Sequence, residues 1–369
     1  MLLKIGFFFF FLSAFTSVNA EHHEYIKTFI QKYREGHLYN KYSPMPAKVN
    51  KLIVYSNGQE NNVFCFIGDT GGDMGNPKEI NPAGKMQVDA ASLLIYHSQS
   101  NFNDRCDQTH FLGDIIYPVG IQKEDNGQRE KVLFFDVYNP LLGSNKNPIY
   151  LAFGNHDYYG SVEKWFDYRK IYQNLRIPYY FYAEKIKDLC LVTIDTNPIY
   201  EHGYDIQDEN KKVTGKVDVP RYHEQMKWFL NIRPELNQCR FKVLLGHHPH
   251  KSVRDSKVAL KDFYEKYIVG QFDLIVTGHD HHLSYVGNER GTHMFISGGG
   301  GKPIRESAMK GANEALQKGK LKWLSFDPGF LKMKTFREKN GALQRVEIYS
   351  VVNSRNGAKV EKRATIPVK

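Results

Sequence analysis

Short apolar, β-branched runs that end in small polar clusters recur along the chain. They are VFCFIGDTGG (63–72), THFLGDIIY (109–117), IYLAFGNHDYY (149–159), LCLVTIDTN (189–197), KVLLGHHPH (242–250), DLIVTGHDHH (273–282) and HMFISGGGG (293–301). Between most of them lie helix-like patches, at 86–98, 161–175, 221–237 and 257–268. Strands alternating with helices predict an α/β layered fold whose strands are buried on both faces. The end of the chain differs. GFLKMKTF, ALQRVEIYSV and KRATIPV follow one another through short polar links, which predicts an antiparallel meander. KLIVY (51–55) and VFCFI (63–67), split by SNGQENN, carry a hairpin signal. Tyr25, Phe29 and Tyr33 predict a short amphipathic helix over 22–34, and 203–220 is expected to be a surface insertion.

The first twenty residues, MLLKIGFFFFFLSAFTSVNA, have one cation, an apolar stretch and small residues at the end. That is the pattern of a secretory signal peptide cleaved after Ala20, so the protein is expected to be secreted or periplasmic. The apolar stretch is too short to span a bilayer, and no transmembrane anchor is expected. The expected division is a signal peptide over 1–20, an extension over 21–49 and a single domain over 50–369. Lys and Arg outnumber Asp and Glu by 50 to 40, giving a net charge of +10. The basic residues form no run of five or more, so an anionic substrate is favoured over nucleic acid. A monomer is expected.

Export permits disulfides among the four cysteines. Cys65 and Cys190 sit inside apolar runs, where a buried thiol is as reasonable as a bridge. Cys106 and Cys239 stand in polar surroundings and are the favoured pair, although spacing alone does not choose among three pairings.

Five of the apolar runs end in groups able to bind metal. Asp69 follows the first and Asp114 the second, with Tyr117 three residues on. Asn155 and His156 follow the third, His247 another, and His279 and His281 the last. Ligands in open α/β sheets gather at such carboxyl-terminal strand ends. In each case a glycine precedes the first polar residue, which allows close approach of the backbone.

The ordered set GDTGG, GDIIY, GNHD, GHHP and GHDHH resembles the calcineurin-like metallophosphoesterases. Tyr117 narrows the resemblance to the purple acid phosphatases, above all the small tartrate-resistant type. The resemblance implies two central mixed β-sheets sandwiched by helices (αββα). It also implies a dinuclear metal centre, Fe(III) with Fe(II), Zn(II) or Mn(II). Asp69, Asp114, Tyr117 and His281 would hold Fe(III), and Asp114, Asn155, His247 and His279 the divalent ion, with Asp114 bridging. The donors agree, since carboxylate and phenolate oxygens suit the harder ion and imidazoles the softer.

The implied activity is an exported acid phosphatase that hydrolyses small phosphate monoesters with a dinuclear-metal-bound hydroxide. His156 would contact the phosphate or protonate the leaving group, and Asp157 would orient a neighbour. One departure stands out. The tartrate-resistant type has another histidine several residues beyond GH-x-P, whereas GHHPHKSVRDS has Ser256 near that place. His250 is the candidate to replace it. The competing readings are a phosphodiesterase or nucleotide phosphatase with the same centre, and a non-catalytic scaffold that keeps the fold.

Overall fold

The computed structural model describes residues 53–54, 62–72, 83–99, 105–143, 147–202, 205–207, 213–216, 219–252 and 258–368. The expected signal peptide, the extension and the helix over 22–34 lie outside these residues, as does Ser256.

Two mixed sheets face each other. One has seven strands. Its parallel part is β2 (Val63–Ile67), β3 (Gln108–Leu112), β4 (Ile149–Ala152) and the short β5 (Leu175–Arg176). The other has eight strands. It includes β1 (Ile53–Val54), β6 (Tyr182–Ile186), β7 (Leu189–Thr193), β10 (Phe241–Leu245), β11 (Leu274–Thr277), β12 (Leu283–Glu289), β13 (Thr292–Ser297) and β14 (Trp323–Ser325). Every residue of β2, β3, β4, β7 and β11 is buried, because both faces of each strand are covered. Phe64, Phe66 and Leu112 of the first sheet pack on Leu191, Val243, Leu245, Val276 and Phe295 of the second, forming the layer between them. The 203–220 stretch holds a two-stranded ribbon, β8 (Asp205–Gln207) and β9 (Val213–Lys216).

Helices flank the sheets, besides a short helical stretch over 128–135. They are α1 (Lys85–Gln99), α2 (Asp136–Leu142), α3 (Asn155–Tyr158), α4 (Glu163–Tyr168), α5 (Thr196–Glu201), α6 (Pro220–Leu236), α7 (Val258–Tyr267) and α8 (Glu306–Gln317). The predicted helical patch at 161–175 is shortened to α4, because Leu175 and Arg176 leave the helix to pair with Ile149 and Tyr150. The meander is present as β15 (Gly329–Arg337), β16 (Leu343–Ser354) and β17 (Gly357–Pro367), joined to the edge of β2.

Two expectations are corrected. β1 and β2 do not form a hairpin: β1 pairs in parallel with β6, in the other sheet. β2 is buried and takes β3 on one edge and β15 on the other, so no edge remains for β1. The cysteines pair as Cys65–Cys106 and Cys190–Cys239, with Cα separations of 5.7 and 5.9 Å. Cys106 lies just before β3, the parallel neighbour of β2, and Cys239 just before β10, the parallel neighbour of β7. Each bridge therefore joins a buried strand to the start of its neighbour, a nearness set by sheet order rather than by polarity along the chain.

Candidate metal centre

The carboxyl-terminal ends of β2, β3 and β4 meet those of β10 and β11 where the two sheets abut. Backbone bonds set this junction. Gly68 N–H donates to Ser297 O at 2.7 Å, Asp69 N–H to Gly113 O at 3.0 Å, and Gly278 N–H to His247 O at 3.0 Å. The loops approach so closely that a Cβ on Gly154 would lie 2.2 Å from Asp114 Oδ1. Only glycine fits there.

The side chains converge. The Tyr117 hydroxyl lies 2.9 Å from Asp69 Oδ1, 2.8 Å from Asp114 Oδ2 and 3.1 Å from His281 Nε2. His247 Nε2 lies 3.3 Å from Asp114 Oδ2 and 3.2 Å from His279 Nδ1. Asp69, Asp114 and His247 form one group of mutually close donor atoms, and His247, His248 and His279 another. Seven described non-glycine residues have positive φ. Four are Asp69 (58°), Asp114 (51°), His279 (74°) and His281 (51°). Such backbone costs about 1–3 kcal/mol per residue and persists where the surroundings impose it, often at functional sites.

The electrostatics show what the arrangement asks for. A phenol has one hydrogen, yet two carboxylates and an imidazole surround it. Burial pushes Asp69 up to about 8, against the pull of His247. Burial opposes ionisation of Asp114 too, but His247 and then His156 outweigh it and hold that carboxyl well below its usual range. The two carboxylates thus do not ionise alike. Burial also raises the Tyr117 phenol, and both carboxylates push it further. For His247 the desolvation cost is overcome by Asp114, which brings it up to about 9.

The ring nitrogens are pre-oriented. His247 Nδ1 faces Leu112 O at 2.8 Å and His281 Nδ1 faces Pro303 O at 3.2 Å. A carbonyl only accepts, so each Nδ1 carries a hydrogen and each Nε2 points inward, where a cation that displaces its proton meets a lone pair. Asn155 Oδ1 is buried and accepts no hydrogen bond among the described residues. Inward ring nitrogens, two carboxylates, a phenol and an orphaned amide oxygen fit cations.

His156 and Asp157 behave differently from each other. The His156 N–H donates to Asp114 Oδ1 at 2.8 Å, and its ring lies 4.4 Å from the Tyr117 ring, with Nδ1 tied to Pro118 O at 2.6 Å. Burial lowers the His156 imidazole to about 4. Asp157 does not reach the cavity. It accepts from Ile115 N–H at 2.9 Å and Gly154 N–H at 2.8 Å, clamping two donor loops together.

His250 is not brought to the cage. Its ring lies against Tyr264, and its Nε2 is 3.0 Å from Glu265 Oε1, with Glu289 nearby. His248 is buried beside His279, ring to ring at 4.5 Å, with Nδ1 2.8 Å from Thr196 Oγ1. A sixth strand end, that of β7, supplies a buried network missed by reasoning from motifs. Asp195 meets Tyr158 and Asn197, and Arg221 stacks on Tyr180 at 3.3 Å. IDTN ends a strand like the other clusters, which was the available signal.

Residues 62–283 match the family model described as calcineurin-like phosphoesterase. The chain is 25% identical over 258 residues to tartrate-resistant acid phosphatase type 5 of Homo sapiens, which covers 64% of this chain and 72% of that protein. It is 25% identical over 233 residues to purple acid phosphatase 7 of Arabidopsis thaliana, covering 58% of this chain and 66% of that one. A solved dimetal phosphatase from Danio rerio aligns over 84% of this chain and 99% of its own, with a TM-score of 0.47 and 11% identity. The family match spans more than half of the chain and encloses every donor from Asp69 to His281: the chain belongs to the calcineurin-like phosphoesterase family.

Proposed function

We propose that the protein is an exported acid phosphatase that hydrolyses phosphate monoesters at a two-metal centre. One ion, Fe(III), is held by Asp69, Asp114, Tyr117 and His281. The other, Fe(II), Zn(II) or Mn(II), is held by Asp114, Asn155, His247 and His279. The observation that carries the proposal is the Tyr117 hydroxyl set within 3.1 Å of Asp69, Asp114 and His281. A phenol among hard oxygen donors favours a trivalent ion. Two disulfides suit an oxidising compartment. No helix among the described residues is long and apolar enough to cross a membrane.

Cations bound there supply Lewis acidity and lower the pKa of water. The chain supplies the rest. Asp114 lies between both donor sets and fixes their spacing. Leu112 O and Pro303 O hold the His247 and His281 rings in the tautomer that binds. His156, with Nδ1 donating to Pro118 O, offers Nε2–H to a phosphate oxygen or the leaving group as the imidazolium. Burial disfavours that form in the free protein, and a bound phosphate anion favours it.

The test is the visible spectrum and metal content of purified protein, with hydrolysis of p-nitrophenyl phosphate and its bis-ester across pH. A visible charge-transfer band that vanishes in Tyr117→Phe is expected, with the monoester cleaved faster at acidic pH. A colourless, iron-free, active protein would remove the Fe(III) assignment. Faster turnover of the bis-ester would make the protein a diesterase.

A further inference from the structure

The buried turn after β7, Ile194-Asp195-Thr196-Asn197, touches two of the loops that carry metal donors. Asp195 caps α5: its Oδ1 accepts from the Asn197 N–H at 3.1 Å and from Asn197 Nδ2 at 2.9 Å. Its Oδ2 accepts from the Tyr158 hydroxyl. Tyr158 ends the short helix that Asn155 begins. Asn197 Nδ2 also donates to Phe153 O at 3.0 Å, just ahead of that helix. The Asn155 turn is thus gripped at both ends. On the other side, Ile194 N–H donates to Leu245 O at 2.9 Å, and Thr196 Oγ1 accepts from the His248 N–H at 3.1 Å. These two bonds bracket His247. The His248 ring, with Nδ1 2.8 Å from Thr196 Oγ1, packs on the His279 ring at 4.5 Å.

The turn is itself braced. Gln225 of α6 accepts from the Asp195 N–H at 2.8 Å and donates to Asp195 O at 2.9 Å. Arg221 of the same helix donates to the Tyr158 hydroxyl at 2.8 Å and lies 3.9 Å from Asp195 Oδ2. Breaking a bond in such a buried network leaves a polar group without its partner, so the geometry is held firmly. The Asn155 amide is held only lightly. Among the described residues its Nδ2 makes one hydrogen bond, 3.3 Å to the Tyr159 hydroxyl, and its Oδ1 accepts none. Its aim therefore depends on where the turn sets its backbone. None of the hydrogen bonds of Asp195, Thr196 and Asn197 goes to Asp69, Tyr117 or His281 among the described residues.

We propose that the 194–197 turn is the positioning element of the divalent-ion site, aligning Asn155, His247 and His279 through Tyr158 and His248 while the Fe(III) donors rest on other supports. This rests on the two-metal phosphatase function proposed above.

The experiment uses the parent, Tyr158→Phe and Thr196→Val, substitutions that remove a hydroxyl contact and nearly keep the volume. Protein purified with its iron is freed of its second ion by a mild chelator and titrated with Zn(II) by calorimetry. Iron content and the visible band are read on the same samples. Each variant should bind Zn(II) about 10- to 100-fold more weakly, with iron content and band unchanged. Excess Zn(II) should restore most of the p-nitrophenyl phosphate turnover. Zinc affinity within about twofold of the parent in either variant, or a band that fades in step with the zinc, would overturn the assignment. A parent that holds fewer than two ions or hydrolyses neither ester would remove the function proposed above and this inference with it. Unchanged zinc affinity in variants of an active, two-metal parent removes this inference alone.

Discussion

Asp69, Asp114, Tyr117 and Asn155 rise from strand ends of the seven-stranded sheet, whereas His247, His279 and His281 come from the eight-stranded one. The crossovers behind them are alike. Each buried strand, β2 or β7, is bridged through its cysteine to the start of its parallel neighbour. The chemistry is not alike. One sheet presents oxygens that repel one another when ionised, and the other presents imidazoles, two of which are held by their Nδ1 atoms so that Nε2 points inward. Neither half makes a stable site by itself. The cage forms only when the sheets pack, so cation binding and sheet packing should reinforce each other.

The largest effect is expected from the residue that touches both halves. Asp114 Oδ2 meets Tyr117 on its own sheet and His247 on the other, while Oδ1 accepts from the His156 N–H. Asp114→Ala should empty both metal positions and lower kcat/KM by more than about a thousandfold, about 4 kcal/mol in the barrier. Metal analysis and p-nitrophenyl phosphate kinetics check this. Retention of either ion with near-parent turnover would break the bridging role and leave the halves independent.

The next effect lies away from the cage, in the layer between the sheets. Glu184 of β6 is fully buried near Tyr150 of β4, and Tyr150 stacks on His110 at 4.9 Å. Burial pushes Glu184 up to about 8, the Tyr150 contact opposing only in part. Its folded pKa is thus above its unfolded one near 4.5. The folded state favours the protonated acid, so this group's contribution is complete below about pH 4.5 and is lost as pH rises towards 8. The limiting slope is about 1.4 kcal/mol per pH unit. Burial lowers His110 to about 3, so that group acts in the opposite sense, costing stability as pH falls below its ordinary value. Urea midpoints at pH 5 and pH 8 should drop less between the two for Glu184→Gln than for the parent. Parallel pH dependence in the two proteins would mean that Glu184 carries its charge at no cost.

The strands were legible because a β-branched run ended by glycine and a polar group is a local signal. β2, β3, β4, β7, β10, β11 and β13 all stand where such runs occur. The convergence of Asp69, Asp114, Tyr117, His247, His279 and His281 follows from strand ends sharing one edge. What could not be read depends on neighbours distant in the chain. β1 joins β6 because β2 has no free edge, and the cysteines pair across parallel neighbours. Lys302 looks like one more surface lysine in GGGGKPIRESAMK, yet it is buried, in a segment bonded to Gly68 O and Asp69 O. His250 errs the other way: close in sequence to His247, it turns toward Glu265.

A smaller effect would sharpen the contrast between the halves. On the imidazole side, His247 and His281 are each tied to a backbone carbonyl. On the oxygen side, Asp157 clamps the Asp114 and Asn155 loops through Ile115 N–H and Gly154 N–H. Asp157→Ala leaves both donors buried without that acceptor, which should cost about 1–3 kcal/mol of stability and about 10- to 100-fold in metal affinity. Because the clamp positions Asp114 beside Tyr117, the visible band expected of the proposed Tyr117–Fe(III) pair should disappear at lower chelator concentration than in the parent. Asp157→Asn retains one carbonyl oxygen and should fall between the two. A band that resists chelator equally in all three proteins would show that the oxygen side holds its geometry without the clamp, as the imidazole side does.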